Sequence, residues 1–299
     1  MMMSTDKSSP SNPDPDSMNL AAIPAMDDDV HAHLAEIARK IRIHIIKIIG
    51  EAGSGHPGGS LSIADILSYL YFRAMNLDPL NPDKTDRDRF VLSKGHAAPA
   101  LYSVLALRGY FPETSLLSLR KIDSMFQGHP HRLDTPGVEA STGSLGQGLS
   151  MACGMAMGYR LSKIQAFVYA LIGDGESQEG QIWESAMTAG FRKISNLCVF
   201  LDFNNLQIDG KVSEIKDITP IKDKWEAFRW HVLDINGHDL YEIEKAVQAF
   251  KSQKEKPTLI IARTVKGKGV SFMENNVDFH GKAPNPEEME IALKELNDA

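Results

Sequence analysis

The spacing of apolar positions divides the chain into amphipathic helical stretches and short, densely apolar runs. Val30, Leu34, Ile37, Ile41, Ile45 and Ile48 recur at intervals of three and four, which is one face of a helix. Asp27, Asp28 and Asp29 stand at its N-terminal end, where carboxylates complement the helix dipole, and Gly50 marks its expected stop. Further along, Ala166–Ile172, Leu197–Leu201, Val232–Ile235 and Thr258–Ala262 are rich in β-branched and aromatic side chains, as buried parallel strands are. Phe90–Ser93 also reads as strand-like. Residues 148–161, 181–193, 240–252 and 286–296 have helical spacing. Alternating strand and helix predicts an α/β fold, a doubly wound, mostly parallel sheet with helices on both faces and its ligand outside the carboxyl ends of the strands. No linker composition interrupts residues 27–264, so residues 27–299 read as one domain. Residues 1–26, rich in Ser, Pro and Asp, read as a flexible tail without the cationic start and apolar core of a signal peptide.

Composition narrows the function classes. Of 299 residues, 42% are hydrophobic and 24% charged, which excludes a mostly disordered chain, and no apolar run approaches the roughly twenty residues of a membrane span. Lys and Arg number 32 against 39 Asp and Glu, a net charge of −7 that disfavours nucleic acid as a partner. A small anionic ligand stays compatible, because a site is able to be locally positive or metal-assisted. Cys153 and Cys198, each in an apolar stretch, read as small buried side chains and fit a reducing, cytoplasmic compartment. Met151, Met155 and Met157 read as core filler, Lys254, Lys256, Lys266 and Lys268 as a solvated face, and Asp86–Arg89 as a surface charge cluster or the lead into the Phe90–Ser93 run.

The chemistry concentrates at strand ends. The run Ala166–Ile172 leads directly into Gly173-Asp174-Gly175-Glu176, and the next strand ends in Asp202-Phe203-Asn204-Asn205-Leu206. Parallel neighbours finish on the same edge, so Asp174 and Asn204 are expected to meet. One carboxylate and one amide oxygen suit a hard cation such as Mg²⁺, which completes its shell with phosphate oxygens and water. Each piece alone reads more readily as a plain turn; the two together, at successive strand ends, favour the metal reading. His56, His96, His129 and His280 each adjoin glycine, as side chains presented to a ligand from tight loops do.

Gly173 through Asn205 resembles the metal-diphosphate motif of thiamine-diphosphate enzymes. Ser54-Gly55-His56-Pro57-Gly58-Gly59, Ser93-Lys94-Gly95-His96-Ala97, Gly128-His129-Pro130, Thr142 to Gly148, Ile208-Asp209-Gly210 and His280 to Pro284 follow in the order seen in transketolases. The resemblance, over about residues 30–286, is to the N-terminal, diphosphate-binding part of a transketolase. It implies thiamine diphosphate as cofactor and Mg²⁺, or Ca²⁺ or Mn²⁺, held by Asp174, Asn204 and the Leu206 carbonyl. It places His96, Ser144, Leu145, Gly173, Asp174, Gly175, Glu176, Asn204, Leu206 and His280 against the cofactor. It assigns catalytic roles to His56, His96, His129 and His280, and matches Glu179 to a carboxylate at an interface between chains. Ser144-Leu145 departs from the Pro-Leu of many single-chain transketolases, so that loop lacks proline's stiffness.

Transfer of a two-carbon ketol group from a ketose phosphate to an aldose phosphate needs proton removal from one hydroxyl and donors aimed at oxygens that gain charge. Imidazoles, with an unperturbed pKa of about 6.5, serve both. In the family the pyrimidine-binding domain supplies a glutamate beside the cofactor's pyrimidine. After the resembled region only a short helical pattern follows, so the expectation is one subunit of a split transketolase. A separate C-terminal, pyrimidine-binding chain would complete it, in two copies of each. Sugar phosphates are the expected substrates, pentose-phosphate metabolism is the default, and neither nucleic acid nor membrane is an expected partner. Two alternatives stay open: the first subunit of another thiamine-diphosphate enzyme, such as a 2-oxo acid dehydrogenase or a pyruvate-condensing synthase, and a noncatalytic regulatory paralogue.

Overall fold

The computed structural model describes residues 25–298. Ten α-helices occur among them: α1 (Asp28–Ala52), α2 (Pro57–Leu61), α3 (Ala64–Tyr69), α4 (Ala98–Arg108), α5 (Gln147–Leu161), α6 (Gly180–Phe191), α7 (Val212–Ile215), α8 (Ile221–Ala227), α9 (Leu240–Ser252) and α10 (Pro286–Asp298). Asp27 caps α1 by accepting the Val30 N–H at 2.9 Å. The helix runs past Gly50, whose missing side chain makes room for α10: a Cβ there would meet the Met289 sulfur at 2.5 Å. The stop is Gly53, with the φ of 63° that a left-handed C-cap requires. Residues 1–24 of the expected tail lie outside the described residues. Met26 belongs to the fold, with its side chain buried and its N–H donating to Glu244 Oε2 at 3.0 Å.

Five parallel strands, β1 (Arg89–Leu92), β2 (Val168–Gly173), β3 (Leu197–Phe203), β6 (His231–Asn236) and β7 (Thr258–Arg263), form one sheet in the order β1-β2-β3-β7-β6. A two-stranded hairpin, β4 (Leu206–Gln207) and β5 (Gly210–Lys211), follows β3. The four expected strands are present, and Phe90–Ser93 adds an edge strand ahead of them. Their unbroken apolar runs are explained by burial on both faces. Tyr169, Leu171, Cys198, Phe200 and Ile260 join the core under α1, α3, α4 and α9, while Val168, Ala170, Val199, Leu201 and Leu259 join a second core under α5, α6 and α8.

Two of the burial expectations fail in part here. Arg87 and Asp88 are buried: Arg87 and Arg89 both pair with Glu139, while Asp88 accepts the Phe167 and Asn76 N–H groups at 2.7 and 2.9 Å. Such a cluster anchors the edge strand to the chain around it. Met151 is 40% exposed rather than core, whereas Met155 and Met157 pack against the second core. No helix among the described residues is long and apolar enough to cross a membrane.

The close approach of α6 to the end of α8 depends on Gly190, where a Cβ would lie 1.8 Å from the Phe228 carbonyl oxygen. Backbone cannot yield as a flexible side chain does, so Gly190→Ala is expected to destabilise the chain by about 3 kcal/mol. Urea unfolding checks this; an unchanged midpoint would contradict the packing described.

Candidate functional site

The parallel register explains how distant motifs converge. Gly173, the last residue of β2, pairs with Asp202 of β3, so both following loops leave the same sheet edge. Asp174 Oδ1 accepts the Gly175 N–H at 2.7 Å and Oδ2 the Asn205 N–H at 2.5 Å. Asn205 takes a φ of 59°, left-handed geometry that asparagine tolerates better than most residues. Asn204 Nδ2 donates to Asp202 Oδ2 at 2.9 Å, and its Oδ1 accepts the Leu206 N–H at 3.1 Å. The expected meeting of Asp174 with the Asn204 loop is therefore present.

These loops floor a cavity of about 340 Å³. His56, His96, His129, Leu145, Gly173, Asp174, Gly175, Glu176, Asn204, Leu206 and His280 all line it. Ser144 does not: it is exposed, on the outer side of the loop that presents Leu145. Glu176 is present in a different capacity. Its buried carboxylate accepts from Ser93 Oγ at 2.5 Å, Gly146 N–H at 2.8 Å and Gly173 N–H at 3.0 Å, cross-linking three loops.

The four imidazoles form one cluster. Ring centroids lie 5.3 Å apart for His56–His96, 5.2 Å for His96–His280, 5.6 Å for His56–His280 and 6.3 Å for His56–His129. Burial, then Arg120 and His129, push His56 down to about 4; burial, then Lys266, pushes His280 down to about 3. His96 falls well below its ordinary range through burial and Lys94, and His129 is lowered by burial and Arg120. All four are neutral at pH 7, so each ring has one donor and one acceptor nitrogen.

Two lysines complete the site. Lys94, 2% exposed, donates to the Gly59 carbonyl and to Asp202 Oδ2, both at 2.6 Å. Lys266, read from sequence as solvated, is 2% exposed and donates to the Leu206 carbonyl at 3.1 Å and to His280 Nδ1 at 2.7 Å. An ammonium only donates, so His280 carries its own proton on Nε2. Burial, then the Lys94 charge, bring Lys266 down to about 8. Lys254 and Lys256 are exposed, as expected of a solvated face. Sequence offered no signal for Lys266, because its partners lie 60 and 14 positions away.

The donor set accommodates a hard cation. Asp174, Asn204 Oδ1 and the Leu206 carbonyl offer only oxygens, and burial, then the Asp202 charge, push Asp174 up to about 7, a carboxyl in want of a positive neighbour. Among the described residues no three His, Cys, Asp or Glu side chains converge as a metal cluster, so such an ion would rely on the amide and backbone oxygens.

A parallel sheet whose carboxyl-edge loops line one cavity with four neutral imidazoles defines an α/β domain with its ligand site at the strand ends. Residues 34–297 match the family model described as "Transketolase, thiamine diphosphate binding domain", and the chain belongs to that family. It is 47% identical over 264 residues to the 6-deoxy-6-sulfo-D-fructose transketolase subunit SqwG of Clostridium sp. (strain MSTE9), covering 88% of this chain and 95% of that one. It is 40% identical over 261 residues to an apulose-4-phosphate transketolase subunit from Phocaeicola vulgatus, covering 87% and 92%. Among solved structures, the Campylobacter jejuni transketolase superposes with a TM-score of 0.83 at 36% identity, over 91% of this chain and 43% of that one. The chain thus spans about two-fifths of the length of the solved transketolases it matches.

Proposed function

We propose that this chain is the diphosphate-holding subunit of a two-chain transketolase, moving a two-carbon ketol group from a ketose phosphate to an aldose phosphate. The observation that carries this is the single cavity that joins four neutral imidazoles to the Asp174, Asn204 and Leu206 oxygens. The two-chain reading is supported by relatives that are named as transketolase subunits and match this chain over nearly their whole length. Glu179, exposed at the edge of the cavity, is available to a partner chain. Two copies of each chain form the assembly in this reading, and Cys153 and Cys198, both buried free thiols, suit the cytoplasm.

In this reading Asp174, Asn204 and the Leu206 carbonyl hold Mg²⁺, or Ca²⁺ or Mn²⁺ in its place, and the Gly175 N–H and Lys266 face the diphosphate. Thiamine diphosphate, when bound, supplies the carbanion that attacks the donor carbonyl. The chain's own work is proton handling: a neutral imidazole accepts a hydroxyl proton at its free nitrogen, and an N–H donor steadies an oxygen that gains charge. His280, with its proton fixed on Nε2, is a donor, and His56 lines the same cavity, with a buried Nδ1 that has no hydrogen-bond partner.

Mixing this chain with a chain that carries the pyrimidine-binding domain tests the reading. Ketol transfer from ketose phosphates is expected only when both chains, thiamine diphosphate and Mg²⁺ are present. Robust turnover by this chain alone would defeat the two-chain assignment, and no turnover on mixing would favour a regulatory role. The donor panel should include pentose and hexose phosphates, a sulfo-sugar and pyruvate; preference for pyruvate would move the assignment to another thiamine-diphosphate enzyme.

A further inference from the structure

Lys266 reaches the cavity floor from the loop after β7, and three of the hydrogen bonds that hold this loop flank Lys266 directly. Gly267 N–H donates to the Gly58 carbonyl at 3.0 Å, Asn275 N–H to the Lys266 carbonyl at 2.9 Å, and Val265 N–H to His238 Nε2 at 2.9 Å. Of these three only the third uses a side chain; further out, Thr264 Oγ1 donates to Asp202 and Gly269 N–H to Glu274 Oε1 at 3.0 Å. His238 lies in the turn between β6 and α9, and its other nitrogen, Nδ1, is 2.7 Å from Asp65 Oδ2 on α3. Asp65 is itself gripped by both guanidinium nitrogens of Arg42 on α1, at 3.1 and 2.5 Å. Burial opposes its charge, but Arg42 and His238 hold the Asp65 carboxyl down at about 2. An ionised Asp65 requires Nδ1–H as donor, and Val265 N–H requires Nε2 as acceptor, so one neutral tautomer of His238 satisfies both.

We propose that His238 is a positioning residue for the thiamine-diphosphate site, fastening the Val265 backbone to the Asp65–Arg42 pair so that Lys266 is aimed at the Leu206 carbonyl and at His280. It touches neither the cavity nor any residue that would ligate the metal. Its effect runs through the backbone of one neighbour, from Val265 to Lys266. Loss of it leaves a strand-end N–H without its partner and lets the Lys266 loop swing, while the rest of the sheet is untouched. The proposal rests on the reading of the cavity as the cofactor's site.

Two variants separate positioning from bulk stability. His238→Leu keeps the side chain's bulk and removes the acceptor; His238→Gln keeps an oxygen within reach of Val265. Hydrogen exchange on the full chain is expected to show residues 264–268 exchanging about tenfold faster in His238→Leu, with β2 and β3 unchanged, and near wild type in His238→Gln. In the reconstituted enzyme, His238→Leu should raise the thiamine-diphosphate Kd about tenfold and leave kcat at saturating cofactor unchanged. The proposal is overturned by unchanged exchange at 264–268, by acceleration spread evenly over the sheet, by equal losses in the Leu and Gln variants, or by a fall in kcat with unaltered cofactor affinity. Because exchange is read on this chain alone, it decides the part of His238 independently of turnover, and an inactive reconstituted wild type would overturn only the functional reading.

Discussion

Asp202→Ala is expected to lower the stability of the chain by about 3–5 kcal/mol, because it strands a buried ammonium. Asp202 is fully buried, and its Oδ2 accepts from Lys94 Nζ at 2.6 Å, from Ser62 Oγ at 2.9 Å and from Asn204 Nδ2 at 2.9 Å, while Oδ1 accepts from Thr264 Oγ1. Burial works to raise the pKa of this carboxyl, and the Lys94 charge together with the hydrogen bonds from Lys94, Thr264 and Ser62 outweighs it, holding the group ionised. Alanine would leave Lys94 with the Gly59 carbonyl as its remaining acceptor. The measurement is urea unfolding of the full chain, with a lower midpoint and an unchanged slope as the expected result. A midpoint within error of wild type would mean that Lys94 finds water or deprotonates at little cost. Asp202→Asn retains the shape but not the charge, and falls between the two. A second consequence is local: without Asp202, the Asn204 amide is free to turn its nitrogen toward the position proposed for the metal.

Asp174→Ala has its effect on cofactor retention rather than on folding. The Asp174 carboxyl accepts only the Gly175 and Asn205 N–H groups, and its burial beside Asp202 already disfavours its charge. Removing it therefore costs little stability, since two hydrogen bonds are lost but an unfavourable buried charge is relieved. In the proposed metal site Asp174 is the one carboxylate among the three oxygens, and it would carry the electrostatic part of metal binding. The loss in thiamine-diphosphate affinity is expected to be on the order of a hundredfold or more in Mg²⁺. Calorimetry on the assembled enzyme decides the matter: unchanged affinity would refute the metal assignment, and collapse of the fold would show that Asp174 is structural.

Much of the site was legible because its chemistry lies in short loops that follow periodic strands. Gly173-Asp174-Gly175 and Asn204-Asn205 announce themselves by type and by position after apolar runs, and the structure brings both to one edge. The four histidines were legible through their glycine neighbours, and they do converge. Glu176 shows the limit of that signal: adjacent to the motif, it spends its carboxylate on Ser93, Gly146 and Gly173 as a cross-link. Ser144 shows another, since a loop that presents Leu145 inward turns its neighbour out.

By itself the sequence determined what depends on neighbours along the chain: the helical faces, the strand runs buried on both sides, the acidic start of the first helix and the identity of the strand-end loops. Tertiary structure alone decided which charges are buried and with whom. Arg87 meets Glu139 from 52 positions away, Lys94 meets Asp202 from 108, and Lys266 meets Leu206 from 60. A lysine in a string of polar residues has the same local pattern whether it faces water or a cavity floor. The difference is the free energy of desolvating its charge against partners that the fold, and not the neighbouring sequence, supplies.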